Sequence, residues 1–369
     1  MIDPLPLPPP PAPVPLAGLS AALVFVLLGA FVFIGVPAQL MNLAWGMWFT
    51  EVFLFLGIPL VALRLTGRDA LRTTGLKGFS AKALATGFVA GALNYAAWAV
   101  PLMLLAEHLF PKKLVEAFDS AQVFRDRGPL ELAALGLGVT LAAPICEELF
   151  FRGVVQRGVA TWARGARAVL LTSILFSLFH FDPVGFVARF ELGVLFGVLA
   201  LRSRSLWAGI GAHAANNLLS TLAFFATGGA GGEEPGDPPV AAVLGMVVVG
   251  NLALAALGLA VRRWPSLLET TAPAEDTPAP RPAVAAVVGP WLGGALAAIG
   301  LVVLLDSNGI ALNYYDQKYP VKEPAADAGT SEREAYAQLK ATRAKARKGE
   351  VPLNDYFEQR RLASEGEKK

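Results

Sequence analysis

Residues 240–261 read VAAVLGMVVVGNLALAALGLAV, a run without a single charge. About 20 consecutive apolar residues carry an α-helix across the hydrocarbon core of a bilayer, so this stretch is a spanning helix. Residues 283–305 (AVAAVVGPWLGGALAAIGLVVLL) are equally uncharged. Working outward, the same criterion marks helices near 17–37, 40–63, 83–106, 130–156, 166–181, 184–201 and 206–226. The 166–181 segment is short enough to be partly re-entrant. The expected fold is all-α, a polytopic transmembrane helical bundle of about eight or nine helices with a charged C-terminal tail.

Composition agrees. Hydrophobic residues make up 54% of the 369 and charged ones 16%, against roughly 25% charged in an ordinary globular chain. From Met1 to Leu63 only Asp3 and Glu51 are ionisable. Such a chain is not a soluble globular enzyme, a disordered protein or a nucleic-acid binder. The single cysteine, Cys146, excludes an intrachain disulfide framework and a Cys-based zinc cluster. No Lys or Arg precedes the first apolar run, so a secretory signal is not expected.

Loop charges predict orientation. Arg64, Arg68, Arg72, Lys77 and Lys82 face Asp69 alone in the 64–82 loop, which places that loop, and the N-terminus two helices before it, in the cytoplasm. Arg157, Arg164 and Arg167, then Arg202 and Arg204, then Arg262 and Arg263 fall on the same side by alternation. The acidic loop with Glu233, Glu234 and Asp237 falls outside. Alternation leaves the side of the tail open, because it puts a basic cluster (Arg343, Lys345, Arg347, Lys348) outside. The Ala/Pro/Arg-rich style suits a bacterial plasma membrane.

Seven regions follow: a Pro-rich N-terminal segment (1–15), N-terminal transmembrane helices (16–129), a helical core (130–226), a loop and transmembrane helix (227–264), a Pro/Ala-rich linker (265–281), the last hydrophobic helix (282–305) and a charged tail (306–369). Within the tail, Ser331 and Glu334 read as a capping box, and Gly349 then Pro352 as a stop, so 332–348 is predicted to be a helix.

An ionisable group in a membrane helix costs roughly 2.5–3.5 kcal/mol on insertion scales, and its first reading is functional. Glu147, Glu148 and Arg152 stand in one apolar segment, His180 in a second, His213 and Asn217 in a third. Along a helix, Glu147 lies about 15 Å from Arg157, His180 about 20 Å from Arg167 and His213 about 14 Å from Arg204. Three segments therefore bring polar groups to similar depth below one surface. Glu148 and Arg152 are four apart with the acid first, the favourable order for an ion pair; Glu147 points about 100° away and is left free to act as a base. Phe176 and His180 share a face, as do His213 and Asn217, and two aimed donors suit a developing oxyanion. Cys146 reads as a small hydrophobe, His108 as interfacial. Glu51 and Asn94 suit either a cavity wall or helix packing, and Arg189 and Glu191 lie toward the outer side.

Glu147-Glu148-x-x-x-Arg152, Phe176-x-x-x-His180 and His213-x-x-x-Asn217, in that order, resemble the three motifs of the CPBP family, which groups type II CAAX prenyl endopeptidases with bacteriocin-processing and self-immunity membrane proteins. The resemblance covers roughly residues 130 to 222. It implies an intramembrane endopeptidase in which Glu147 and His180 activate water while His213 and Asn217 hold the oxyanion, with Arg152 fixing Glu148. In a metal variant, Glu147, His180 and His213 would hold Zn²⁺. The implied substrate is a membrane-associated peptide or protein, reached from within the bilayer. No His-Glu-x-x-His, Gly-x-Gly-Asp or membrane-buried Gly-x-Ser-x-Gly signature competes with this reading. The alternative from another class is a non-catalytic membrane protein: an immunity factor, a transporter or a scaffold whose tail binds a partner.

Overall fold

The computed structural model describes residues 14–124, 127–226, 238–268, 281–324 and 328–366. The Pro-rich start up to residue 13, the acidic stretch 227–237 and the linker part 269–280 lie outside the described residues. Among those described there is no strand. Eleven longer helices are labelled here: α1 Leu16–Met41, α2 Leu43–Leu65, α3 Ala81–Leu109, α4 Pro129–Ala160, α5 Ala166–Leu178, α6 Phe186–Ser203, α7 Trp207–Ala226, α8 Val240–Arg263, α9 Val284–Lys318, α10 Thr330–Arg347 and α11 Leu353–Gly366. Each of the nine hydrophobic helices expected from the sequence is present. Six of them (α1–α4, α8 and α9) are long and apolar enough to cross a membrane. The protein is an integral membrane protein. The helices outside that set, α5 to α7, are shorter or carry the Arg, Glu, His and Asn residues that lower their hydropathy.

Proline explains the geometry of four spans. Phe31–Gly35, Thr50–Gly57, Tyr95–Ala99 and Gly138–Ala142 are π-helical, and each ends two residues before a proline: Pro37, Pro59, Pro101 and Pro144. Proline lacks the N–H and its ring crowds the carbonyl four residues back. A local widening to π geometry re-satisfies those groups where lipid offers no hydrogen bond. A fifth π segment, Leu149–Gln156, is buried along its entire length.

Contacts divide the chain into two units. One comprises residues up to Phe31 together with Thr50–Trp291, the other Val32–Phe49 together with Leu292–Lys369. In the first unit, α3 and α7 meet through small residues. A Cβ at Gly87 would fall 1.9 Å from the Ala208 carbonyl oxygen, and one at Gly91 2.2 Å from that of Ala212. This small-xxx-small contact brings two backbones together and sets the position of α7 next to His213. Past α8, Pro265–Leu267 forms a short 3₁₀ turn whose Leu267 carbonyl accepts from Thr86 Oγ1 at 3.0 Å, so the first residues of the expected linker pack on α3.

In the second unit, the last hydrophobic helix does not end at Leu305. It breaks at Asp306 (φ −136°, ψ 36°) and resumes to Lys318. The Asp306 carboxylate accepts from Asn42 Nδ2 at 2.6 Å and pairs with Arg347 at 3.0 Å. Arg343 pairs with Asp316 at 2.6 Å. Leu312, Leu339, Ala346 and Tyr356 form a small buried core. The expected capping box of Ser331 and Glu334 is absent: α10 begins at Thr330, two residues before the predicted start, and Gly329 caps it with no side-chain bond. A second tail helix, α11, was not anticipated.

Candidate active site

The first unit brings α4, α5, α6 and α7 together around one buried cation. Arg152 Nη1 donates to Glu148 Oε1 at 2.8 Å and Nη2 to the Gly193 carbonyl at 3.0 Å. Both partners of the ion pair are fully covered. The guanidinium lies over the Phe176 ring at 4.5 Å and near Phe196 at 5.2 Å, a desolvated cation–π arrangement. One turn on, Gln156 Nε2 donates to the Gly197 carbonyl at 3.0 Å. Thus α4 grips α6 at two carbonyls spaced four residues apart. Both sit on glycines, where a Cβ would strike Ser173 at 2.9 Å or Gln156 at 2.7 Å.

Glu148 has a second partner. His213 Nδ1 lies 3.3 Å from Glu148 Oε1, and its ring stacks on Phe196 with centroids 4.8 Å apart. The Glu148–Arg152 pair expected from their spacing is present, and Glu148 also joins α4 to the imidazole of α7. The other carboxylate oxygen faces Gly209, where a Cβ would stand 2.9 Å away.

His180 lies beyond the end of α5, not inside the predicted 166–181 helix. The helix stops at Leu178, and the chain turns through Phe181 at φ 51°. A bulky residue in this left-handed region stores strain, which structures retain chiefly at functional sites. His180 Nδ1 meets the Phe176 carbonyl at 2.9 Å. A carbonyl only accepts, so Nδ1 carries the hydrogen and Nε2 presents a lone pair. The Phe176 ring stands between the two imidazoles, 5.0 Å from His180 and 5.8 Å from His213. The turn is held by Asp182, which accepts from the backbone N–H groups of Val184 and Gly185 at 2.9 and 3.0 Å and pairs with Arg189.

Exposure is graded. Glu148, Arg152 and His213 are buried, Glu147 and Asn217 half-buried, and His180 exposed, so the site opens at His180 and Glu147. Glu147 Oε2 is sheltered and makes no hydrogen bond. Its electrostatic neighbours are His213, Glu148, Arg152 and Arg189. Asn217 Nδ2 donates to the Val139 carbonyl of α4 at 2.9 Å, which leaves one amide hydrogen for another acceptor. Glu147, His180 and His213, the set expected for Zn²⁺, do not make a ligand cage: among the described residues no three of His, Cys, Asp and Glu are grouped to hold a metal ion. Chemically, the arrangement offers a carboxylate with one oxygen that makes no hydrogen bond, an imidazole lone pair and two donors around an opening.

Residues 129–219 match the family model described as Type II CAAX prenyl endopeptidase Rce1-like. The chain carries an Rce1-like domain. The match is consistent with a CPBP intramembrane protease. Neither the curated proteins nor the solved structures searched gave a match. The Rce1-like stretch runs from the first residue of α4 into α7 and includes Glu147, Glu148, Arg152, His180, His213 and Asn217.

Two features of the domain's surroundings escaped sequence reasoning. Arg189, expected toward the outer side, is an electrostatic neighbour of both Glu147 and His180; its spacing from Asp182 carries no motif. Gly209 is one of two glycines in α7, and nothing local distinguishes it.

Proposed function

We propose that the protein is an intramembrane endopeptidase that hydrolyses a peptide bond with water activated by Glu147 and His180. The supporting observation is the convergence of three motifs from separate helices: Glu148 holds both Arg152 and His213, and Phe176 touches the rings of His213 and His180. In this reading Glu147 takes a proton from water, a step worth typically 10²–10⁴ in rate. His180, with its Nε2 lone pair outward, orients the same water. The water oxygen adds to the substrate carbonyl carbon, and the oxygen charge that develops meets His213 and Asn217. With Nδ1 on Glu148, His213 reaches that oxygen through Nε2. The proton on Glu147 then passes to the leaving nitrogen. No step runs through a metal.

The substrate is a membrane-associated peptide or protein with an apolar tail near the cut, presented from within the bilayer, and the 64–82 loop faces the cytoplasm with the N-terminus. The deciding experiment is cleavage of a panel of membrane-anchored peptides by purified protein, with Glu147→Gln beside it. Loss of at least about 10²-fold in the variant is expected; equal cutting overturns the assigned base. Chelators are expected to leave the rate unchanged, and a loss restored by Zn²⁺ would overturn the metal-free route. If wild type cuts no member of the panel, the non-catalytic alternative, an immunity factor or scaffold, gains.

A further inference from the structure

His180 sits between two helices, on a turn whose shape neither helix dictates. α5 ends at Leu178 and α6 starts at Phe186. Within the turn Phe181 holds its φ of 51°, a conformation that a bulky residue keeps only where its surroundings enforce it. Three contacts do so. Pro183 has no N–H, so the Asp182 carboxylate reaches past it, and Oδ1 accepts from the N–H groups of Val184 and Gly185 at 2.9 and 3.0 Å. Oδ2 pairs with Arg189, in the first turn of α6. From the other end, Ser177 Oγ donates to the Phe186 carbonyl at 2.7 Å. Space is part of the device: a Cβ at Gly185 would fall 2.0 Å from Arg189 Nη1 and 2.7 Å from Asp182 Oδ2. The side chains of the pair are 6% exposed at the acid and 21% at the arginine, so solvent screens it weakly. The His180 ring is tied to α5 through the Phe176 carbonyl at 2.9 Å. Its backbone, two residues before Asp182, is tied to α6.

We propose that Asp182 and Arg189 are positioning residues of the hydrolytic site: the pair clamps the strained turn and so fixes where the His180 imidazole presents Nε2 to the opening. This rests on the hydrolytic reading and deepens it. Both residues act through His180 and exchange no proton with the attacking water. Ground-state binding of the substrate is untouched, so the clamp belongs to kcat and not to KM.

The test compares five variants of the full-length protein. Asp182→Asn keeps an acceptor for the two N–H groups and loses the charge that Arg189 meets. Asp182→Asn and Arg189→Gln should each lower kcat about tenfold with KM unchanged, and Asp182→Ala, which frees the N–H groups as well, about 10²-fold. Arg189→Lys still offers one cationic donor to Oδ2 and should keep kcat within about threefold. Joined in one chain, Asp182→Asn and Arg189→Gln should cost no more than either alone, because partners in one contact are not additive. That double variant leaves no unpaired ion, so it should keep the wild-type unfolding temperature and still be slow. Full kcat in the double variant, or losses that multiply, overturns the proposal. A second readout needs no substrate. In histidine-labelled protein, the magnetic contact between the His180 and Phe176 rings, whose centroids are 5.0 Å apart, should persist in Arg189→Lys and fade in Asp182→Ala and in the double variant; a contact unchanged in all of them also overturns the clamp. If wild type cuts no peptide, the hydrolytic reading falls and the ring contact alone decides the clamp. If Glu147→Gln stops cutting while the Asp182 and Arg189 variants cut at full rate, hydrolysis stands and the clamp falls.

Discussion

Arg152 shows how one side chain organises a site. Its charge is compensated by Glu148, its second amino group by a backbone carbonyl, and its face by two phenylalanine rings. Removing one member of a buried ion pair leaves an uncompensated charge and typically costs 3–5 kcal/mol. Arg152→Met is therefore expected to lower the unfolding temperature in detergent sharply, and Glu148→Gln in the same background should recover part of the loss; equal stability of Arg152→Met and wild type would refute the role. Gly209→Ala tests the carboxylate from the other side. Its Cβ would enter 2.9 Å from Glu148 Oε2, displacing the carboxylate whose other oxygen holds His213, so kcat should fall by about tenfold or more while the protein still folds. The pairing of Glu148 with Arg152 was legible because four residues separate neighbours on a helix surface. The bond from Glu148 to His213 was not, since 65 positions separate the two and no local rule says which of two adjacent glutamates meets a distant helix.

At the scale of the element, the spans were legible from hydropathy alone, because a helix in lipid must be long and apolar. Their inner irregularities were not. Pro144 stands three residues before Glu147, and the π segment Gly138–Ala142 that accommodates it rotates everything that follows relative to a regular α-helix. Pro144→Ala should let the helix regularise and swing Glu147 and Glu148 away from α7. The expected result is at least a tenfold loss of kcat with little change in unfolding temperature; unchanged kinetics would show that the widened turn is incidental. The α3–α7 contact makes the opposite prediction. Gly91→Val drives a branched side chain into the Ala212 backbone, and overpacking of this kind typically costs 1–3 kcal/mol, measurable as a lower unfolding temperature together with lost activity.

For the molecule as a whole, the tail changes meaning in three dimensions. Arg343 and Arg347 read as part of a basic cluster at the end of an exposed helix, yet they pair with Asp316 and Asp306. Tyr356 is buried and donates its hydroxyl to Asp316. Burial first, and then the Asp316 carboxylate, push the Tyr356 hydroxyl above the ordinary tyrosine range. The folded tail thus favours the neutral phenol. Its contribution is complete below about pH 10, the usual tyrosine value, and is lost as pH rises beyond it. Alkaline titration followed by tyrosine absorbance should show one late-ionising group that Tyr356→Phe removes, and the variant's stability should be flatter across that window; an unchanged titration curve would reject the assignment.

The amino-acid order by itself determined that this chain lives in a bilayer, where its helices run and which six polar residues stand at its motif positions, because those properties depend on local hydropathy and on spacing along one helix. Only the tertiary structure decided that Glu148 meets His213, that His180 sits on a strained turn, that Arg189 is an electrostatic neighbour of Glu147 and that Arg343 and Arg347 of the tail are paired. Those facts depend on which faces of separate helices meet, and that is settled by glycine contacts, proline-induced π turns and aromatic packing between segments far apart in the chain.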